Sequence, residues 1–427
     1  MIIAYRVFTT LLYPFLIIFI YYRKIKKKED PIRFKEKIFV SHFKANKQEK
    51  TKLIWFHAAS IGELKSITPI LKQLNNSYQR YKFLVTTSTL SSGNLAKIEL
   101  EKINNTEHRY FPFDVPFLIS NFLQLWKPDK IFLVDSEIWP NLILKAKEYK
   151  IPISLINARL TSKSFRRWMF FPSAAKKVFK VFDLFICSNN ETKKYLEKLN
   201  LKNIYFKGNI KLASHVDENI IINFNEDFLL KKRFWFAAST HKGEDFFCIK
   251  THLKIKEKFR DIVTIVAPRH VERSKEIETL SKKFKLNVQI INKNEKILED
   301  KELIIVNYFG ALTSYFKYAK SVFIGKSMLA NLKKQSGQNP IEAAKLACKI
   351  YHGPYVYNFE DIYKILENNN ISKKIENYEV LSKNLIQDLI DPQKYNDQKK
   401  NIINKLGQKT LIDTMKLIEK SLNDEDN

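Results

Sequence analysis

Short apolar runs rich in β-branched and aromatic residues alternate with amphipathic stretches along most of this chain. The runs Leu53–His57, Phe83–Thr87, Lys130–Val134, Ile153–Ile156, Leu184–Cys187 and Ile204–Phe206 predict strands, with helices between them. The pattern lapses across Ala213–Lys232. It resumes with Phe234–Ala238, Val263–Ala267, Val288–Ile291, Leu303–Val306, Val322–Ile324 and Lys349–Tyr351. Two successive series of strand and helix predict an α/β protein of two Rossmann-like domains. The domains are placed at 51–215 and 231–400, with a linker at 216–230 and a C-terminal helix and tail at 401–427. Such sheets hold ligands beyond the C-terminal ends of their strands, so the loops that follow strands are where chemistry is sought.

The N-terminus breaks the alternation. Ile2 to Tyr22 is apolar apart from Arg6, about the ~20 residues that a membrane-spanning helix needs. The basic cluster Arg23-Lys24-Ile25-Lys26-Lys27-Lys28 follows directly and predicts a cytoplasmic flank. A cleaved signal would carry its charge before the apolar run and a small-residue site after it. The order here is the reverse, so residues 1–22 are predicted to be an uncleaved anchor, followed by a basic juxtamembrane segment at 23–50. Pro14 leaves open whether the anchor spans the bilayer or lies in its interface.

Composition then narrows the classes. Of 427 residues, 45% are hydrophobic, which excludes wholesale disorder. The 74 Lys and Arg against 45 Asp and Glu give a net charge of +29, which would suit a polyanion. The lysines are spread along the whole chain, however, and no nucleic-acid-binding motif accompanies them. Compositional drift therefore explains the charge better than a nucleic-acid footprint, and an anionic lipid surface is the third possible partner. Cys187, Cys248 and Cys348 are far apart, which excludes a disulfide scaffold and offers no metal-ligand spacing.

Only nine glycines occur, so each is expected to meet a backbone requirement that other residues meet at a cost. Neither a GxGxxG fingerprint nor a P-loop is present. Gly62-Glu63 follows the first strand; Ser60 and Glu63 form a capping box, or Glu63 is a general base held at the mouth of a site. Asp135-Ser-Glu137 ends another strand, either leading into a Pro140 helix start or lining a ligand crevice. Pro268-Arg269-His270 suits a phosphate, with pairing of Arg269 to Glu272 or Glu276 as the alternative. Asn339-Pro340-Ile341-Glu342 opens a helix, where Asn339 caps the turn or Glu342 accepts from two ribose hydroxyls.

Taken together these segments carry a resemblance. HAASIGE (57–63), DSEIWPN (135–141), NARL (157–160), GNIK (208–211), ASTHKGE (238–244), APRH (267–270) and NPIE (339–342) occur in this order. The set resembles the 3-deoxy-D-manno-octulosonic acid (Kdo) transferases, from the N-terminal helix to about residue 360. The resemblance implies a GT-B glycosyltransferase: two Rossmann-like domains facing a cleft, plus an N-terminal membrane-anchor helix. It also implies CMP-Kdo as donor, a lipid A precursor as acceptor and inversion at the anomeric carbon, in lipopolysaccharide core biosynthesis at the cytoplasmic face of the inner membrane. No metal and no cofactor are implied, and the expected partners are the two substrates and anionic lipid, not nucleic acid. By motif, Glu63 matches the catalytic base, and Asp135 and Lys211 match the groups that stabilise the transition state. Arg269, His270, Phe309, Gly310, Ala311, Asn339, Pro340, Ile341 and Glu342 match the CMP site. The family has Glu where Asp135 stands, His at Gln338 and a second Gly at Lys326. Two other readings remain: a GT-B transferase for another nucleotide sugar, and a membrane-tethered basic protein that binds lipid or nucleic acid.

Overall fold

A computed structural model describes residues 1–45, 51–78, 80–331, 336–390 and 397–423. The chain forms two units, one of residues 1–215 with 406–427 and one of residues 216–405.

In the first unit the strands are β1 (Lys52–His57), β2 (Tyr81–Thr87), β3 (Thr106–Tyr110), β4 (Lys130–Val134), β5 (Ile153–Ala158), β6 (Leu184–Cys187) and β7 (Ile204–Phe206). They pair in parallel in the order β3-β2-β1-β4-β5-β6-β7. The strands read as continuous apolar runs because helices cover both faces of the sheet. Trp55, Leu84, Ile131, Leu133, Leu155 and Phe185 point to one core. Their chain neighbours Ile54, Phe56, Phe83, Val85, Phe132 and Ile156 point to the other. The direction of the winding reverses between β1 and β4, the position where a doubly wound sheet opens a ligand site.

The second unit repeats the design with β8 (Phe234–Thr240), β9 (Val263–Pro268), β10 (Val288–Ile291), β11 (Leu303–Val306), β12 (Ser321–Ile324), β13 (Lys349–His352) and β14 (Ser372–Lys374). Its order is β10-β11-β9-β8-β12-β13-β14, all parallel, with the reversal between β8 and β12.

The segment expected as a linker, 216–230, counts with the second unit and holds a short helix at Glu226–Lys231. The last helix starts earlier than expected, at Asp397, and runs to Asn423. From Leu406 onward it belongs to the first unit, where Met415, Ile418 and Leu422 complete one of the two cores.

The N-terminal helix spans Ile2–Ile25 and is the one described helix long and apolar enough to cross a membrane. One face nevertheless lies against the first unit. The Tyr5 hydroxyl donates to Asp114 (3.0 Å), the Tyr13 hydroxyl to the Ile38 carbonyl (2.7 Å), and Arg6 pairs with Glu148 at 2.6 Å. Ile20 is buried with Phe34 and Ile38. The opposite face leaves Ile3, Val7, Leu11, Phe15, Ile18 and Tyr22 exposed.

The glycines only partly follow expectation. Gly62 meets no steric limit and has no positive φ. Gly325 is required, since a Cβ there would lie 2.5 Å from the Ser239 carbonyl oxygen. Many left-handed positions are filled instead by Asn, Lys, Asp or Ser, including Asp135, Asn157, Ser239 and Lys326.

Candidate active site

In the first unit the loops after β1 and β4 meet at the reversal point. Ser60 caps the Ile61–Ser77 helix. Its hydroxyl donates to Glu63 Oε1 (2.7 Å), while Ala59 N–H donates to Oε2 (2.8 Å). The capping reading is therefore realised, and it fixes the Glu63 carboxylate at the end of the strand. Burial, with the nearby negative charges of Asp135 and Glu137, pushes the Glu63 carboxyl up to about 7; the Ser60 hydrogen bond and Lys211 act the other way. A carboxylate poised near neutrality is what general-base chemistry needs.

Asp135 sits directly after β4 with φ +64°. Asp is among the residues that adopt this left-handed backbone more readily than most. Asp135 pairs with Lys211 and also accepts from the Ser136 hydroxyl. Lys211 lies in a tight turn, Ile210–Ala213, that Asn157 holds by accepting from Ile210 N–H (3.0 Å). Asn157 is itself left-handed (φ +51°), where the pairing of β5 with β6 shifts register.

Further groups brace this loop cluster. Glu137 accepts from Trp139 Nε1 (2.8 Å) and faces His57 Nε2 at 3.3 Å, while the His57 ring stacks on Phe111. Asp114 accepts from Asn141 N–H and Leu142 N–H, the start of the helix that follows Pro140. Burial pushes Asp114 up to about 6 against these hydrogen bonds.

In the second unit the loops after β8 and β12 are joined by Glu244. Its fully buried carboxylate accepts from the N–H groups of His241 (2.9 Å), Lys326 (2.7 Å), Ser327 (2.8 Å) and Met328 (3.0 Å). Lys326 has φ +58°, a left-handed backbone that glycine adopts at least cost. Arg269 and His270 are exposed directly after β9. The His270 ring lies edge-on to His241. Burial lowers His241 to about 4, and the positive charges of Lys326, His270 and Arg269 reinforce this. The pairing considered for Arg269 goes to Arg273 instead, which binds Asp245 and Glu276. Among the described residues no carboxylate forms an ion pair with Arg269. The arrangement is a cationic patch on the ligand edge of the sheet, suited to a phosphate.

Phe309 (72% exposed) and Gly310 (φ +84°) lie after β11, and Ala311 is buried behind them. Asn339 accepts from Ile341 N–H (3.0 Å), which is the turn-capping role. Pro340 and Ile341 are buried, and Glu342 accepts from Thr313 Oγ1 (3.0 Å), so the 309–313 and 339–342 loops are tied together.

Within each unit, then, the residues singled out from sequence converge on strand C-termini. Glu63, Asp135 and Lys211 form one cluster in the first unit. Arg269 and His270 share a patch with His241 and Lys326 in the second. The bracing roles of His57, Asn157, Asp114 and Glu244 were not read from sequence, although His57, Asn157 and Glu244 stand inside the quoted motifs.

Comparison with known proteins bears on the family and the fold. Residues 33–214 match the family model described as 3-Deoxy-D-manno-octulosonic-acid transferase (kdotransferase). The chain is 30% identical over 424 residues to the 3-deoxy-D-manno-octulosonic acid transferase of Rickettsia bellii, covering 97% of this chain and 98% of that one. It is 29% identical to the probable mitochondrial 3-deoxy-D-manno-octulosonic acid transferase of Arabidopsis thaliana, covering 87% and 86% of the two chains. Among solved structures, UDP-GlcNAc 2-epimerase from Neisseria meningitidis bound to UDP-GlcNAc aligns with a TM-score of 0.56 at 12% identity, over 86% of this chain and all of that one. That likeness shows the fold alone, a GT-B type built from two parallel-sheet units. On these grounds the chain belongs to the Kdo transferase family of glycosyltransferases.

Proposed function

We propose that the chain transfers Kdo from CMP-Kdo to a sugar hydroxyl of a lipid A precursor, with inversion and without a metal ion. Glu63 takes the proton of the acceptor hydroxyl as that oxygen bonds to the anomeric carbon. The bond from that carbon to the phosphate oxygen breaks, and CMP leaves with the electron pair. Asp135 and Lys211 steady the charge that develops at the reacting centre, and Arg269 and His270 bind the CMP phosphate. Phe309 to Ala311 and Asn339 to Glu342 are assigned to the rest of the nucleotide. The first unit takes the acceptor and the second the donor.

The observation that carries this reading is the Glu63 carboxylate, fixed by Ala59 N–H and the Ser60 hydroxyl and held near neutrality. The exposed stripe of the N-terminal helix and the basic cluster at 23–28 support attachment to anionic lipid of an inner membrane, with the two units on its cytoplasmic side. The test incubates detergent-solubilised protein with CMP-Kdo and lipid A precursor and follows CMP release. Glu63→Gln is expected to lower the rate by roughly 10²–10⁴-fold, the usual scale of general-base catalysis. Full activity in that variant, or turnover with uridine sugars in place of CMP-Kdo, would refute the assignment.

A further inference from the structure

A cavity of about 300 Å³ lies inside the first unit, between the N-terminal helix and the loops that carry the acidic cluster. Phe19 and Ile20 of the helix form one wall; Phe111, Phe113 and Trp139 form the other. The polar groups on its lining are already engaged. Glu29 binds both Arg23 and Lys37, and Lys37 also donates to the Ser88 carbonyl (2.8 Å). Glu137 accepts from Trp139 Nε1 and lies 3.3 Å from His57 Nε2, and Asp114 accepts from the N–H groups of Asn141 and Leu142. What faces the empty space is therefore largely hydrocarbon, so a ligand there is apolar.

Two parts of its lining identify the occupant. Ala59, whose N–H donates to Glu63, and Glu137, one of the charges acting on Glu63, belong to the first-unit loops. Phe19, half exposed, belongs to the helix and is next to the outer stripe of Phe15, Ile18 and Tyr22. A molecule that touches both parts has a hydrocarbon chain on the helix side and a reacting head beside Glu63. The volume sits at the low end for small-molecule pockets, enough for part of a chain and too small for a nucleotide sugar.

We propose that this cavity receives an acyl chain of the lipid acceptor and so selects for acylated acceptors. This rests on the reading of the acceptor as a lipid. Each buried methylene favours binding by about fourfold, so a few of them set a large preference.

The experiment compares, in detergent micelles, the acylated lipid A precursor with the same head group fully deacylated. The wild type is expected to prefer the acylated acceptor by more than about tenfold in kcat/KM. Ile20→Trp, which fills the cavity, and Phe19→Arg, which places a charge at its exposed mouth, are each expected to bring that preference below about threefold. The change should appear as a raised KM for the acylated acceptor. Phe15→Ser, on the stripe but outside the cavity, is expected to keep the preference. Unchanged preference in both cavity variants would overturn the proposal, as would equal loss in Phe15→Ser, which assigns the effect to general partitioning. Turnover of neither acceptor by the wild type would instead bring down the reaction reading itself, and this proposal with it.

Discussion

Glu63 concentrates the residue-scale argument, because its surroundings oppose its charge while its function requires it. As a base it works only when ionised, so activity is expected to rise with pH through about 7. Asp135→Asn removes one of the charges that raise Glu63, so the midpoint of that pH profile is expected to move to lower pH even as the maximal rate falls by roughly 10–100-fold. A shift to higher pH would show that Asp135 does not act on Glu63 through its charge. Stability has its own sign: the folded protein holds the Glu63 proton more tightly than the unfolded chain does. Ionisation therefore costs stability as pH rises from the ordinary carboxylate value of 4.5 through about 7. Glu63→Gln is expected to melt higher than the wild type at pH 8 and similarly at pH 4, as thermal denaturation can check. Much of this cluster was legible in sequence, since Ser60 and Glu63 are three apart and Asp135 ends an apolar run. The clamp of Asn157 on the Lys211 turn was not, because its partner lies 53 positions away and only the folded sheet brings them together.

At the scale of elements, twelve of the fourteen strands among the described residues follow from apolar runs, and the two that do not are β3 and β14. Both are edge strands, paired on one side only. Thr106–Tyr110 reads TEHRY and Ser372–Lys374 reads SKK, polar sequences that an edge accepts and a central strand would not. Pairing alone places them, and periodicity cannot reveal it. The N-terminal helix was equally deceptive in another respect. Its composition is apolar all round, yet Tyr5, Thr9, Tyr13, Leu16 and Ile20 fall on the face turned to the protein, at the spacing of one helical side. A helix docked in this way has only its outer stripe to offer a bilayer. Ile18→Glu on that stripe is expected to weaken sedimentation with anionic vesicles by about tenfold or more, while leaving the circular dichroism spectrum unchanged. Undiminished vesicle binding would place the membrane contact elsewhere.

For the whole molecule, +29 first pointed to polyanions in general, and the lysines remain spread over both units. The more telling feature is how the chain is divided between its two units. The second is continuous in sequence, whereas the first takes residues 1–215 and then waits for 406–427. Met415, Ile418 and Leu422 fill a core that the early residues build but do not close. A chain ended after Lys405 is therefore expected to show proteolytic cleavage first within residues 51–215, with the second unit surviving longer. Preferential loss of the second unit would contradict this. The same division sets an order of events at the ribosome. Residues 1–215 emerge with an apolar face uncovered, residues 216–405 follow as a whole unit, and only then does the stretch from Leu406 arrive to seal the first.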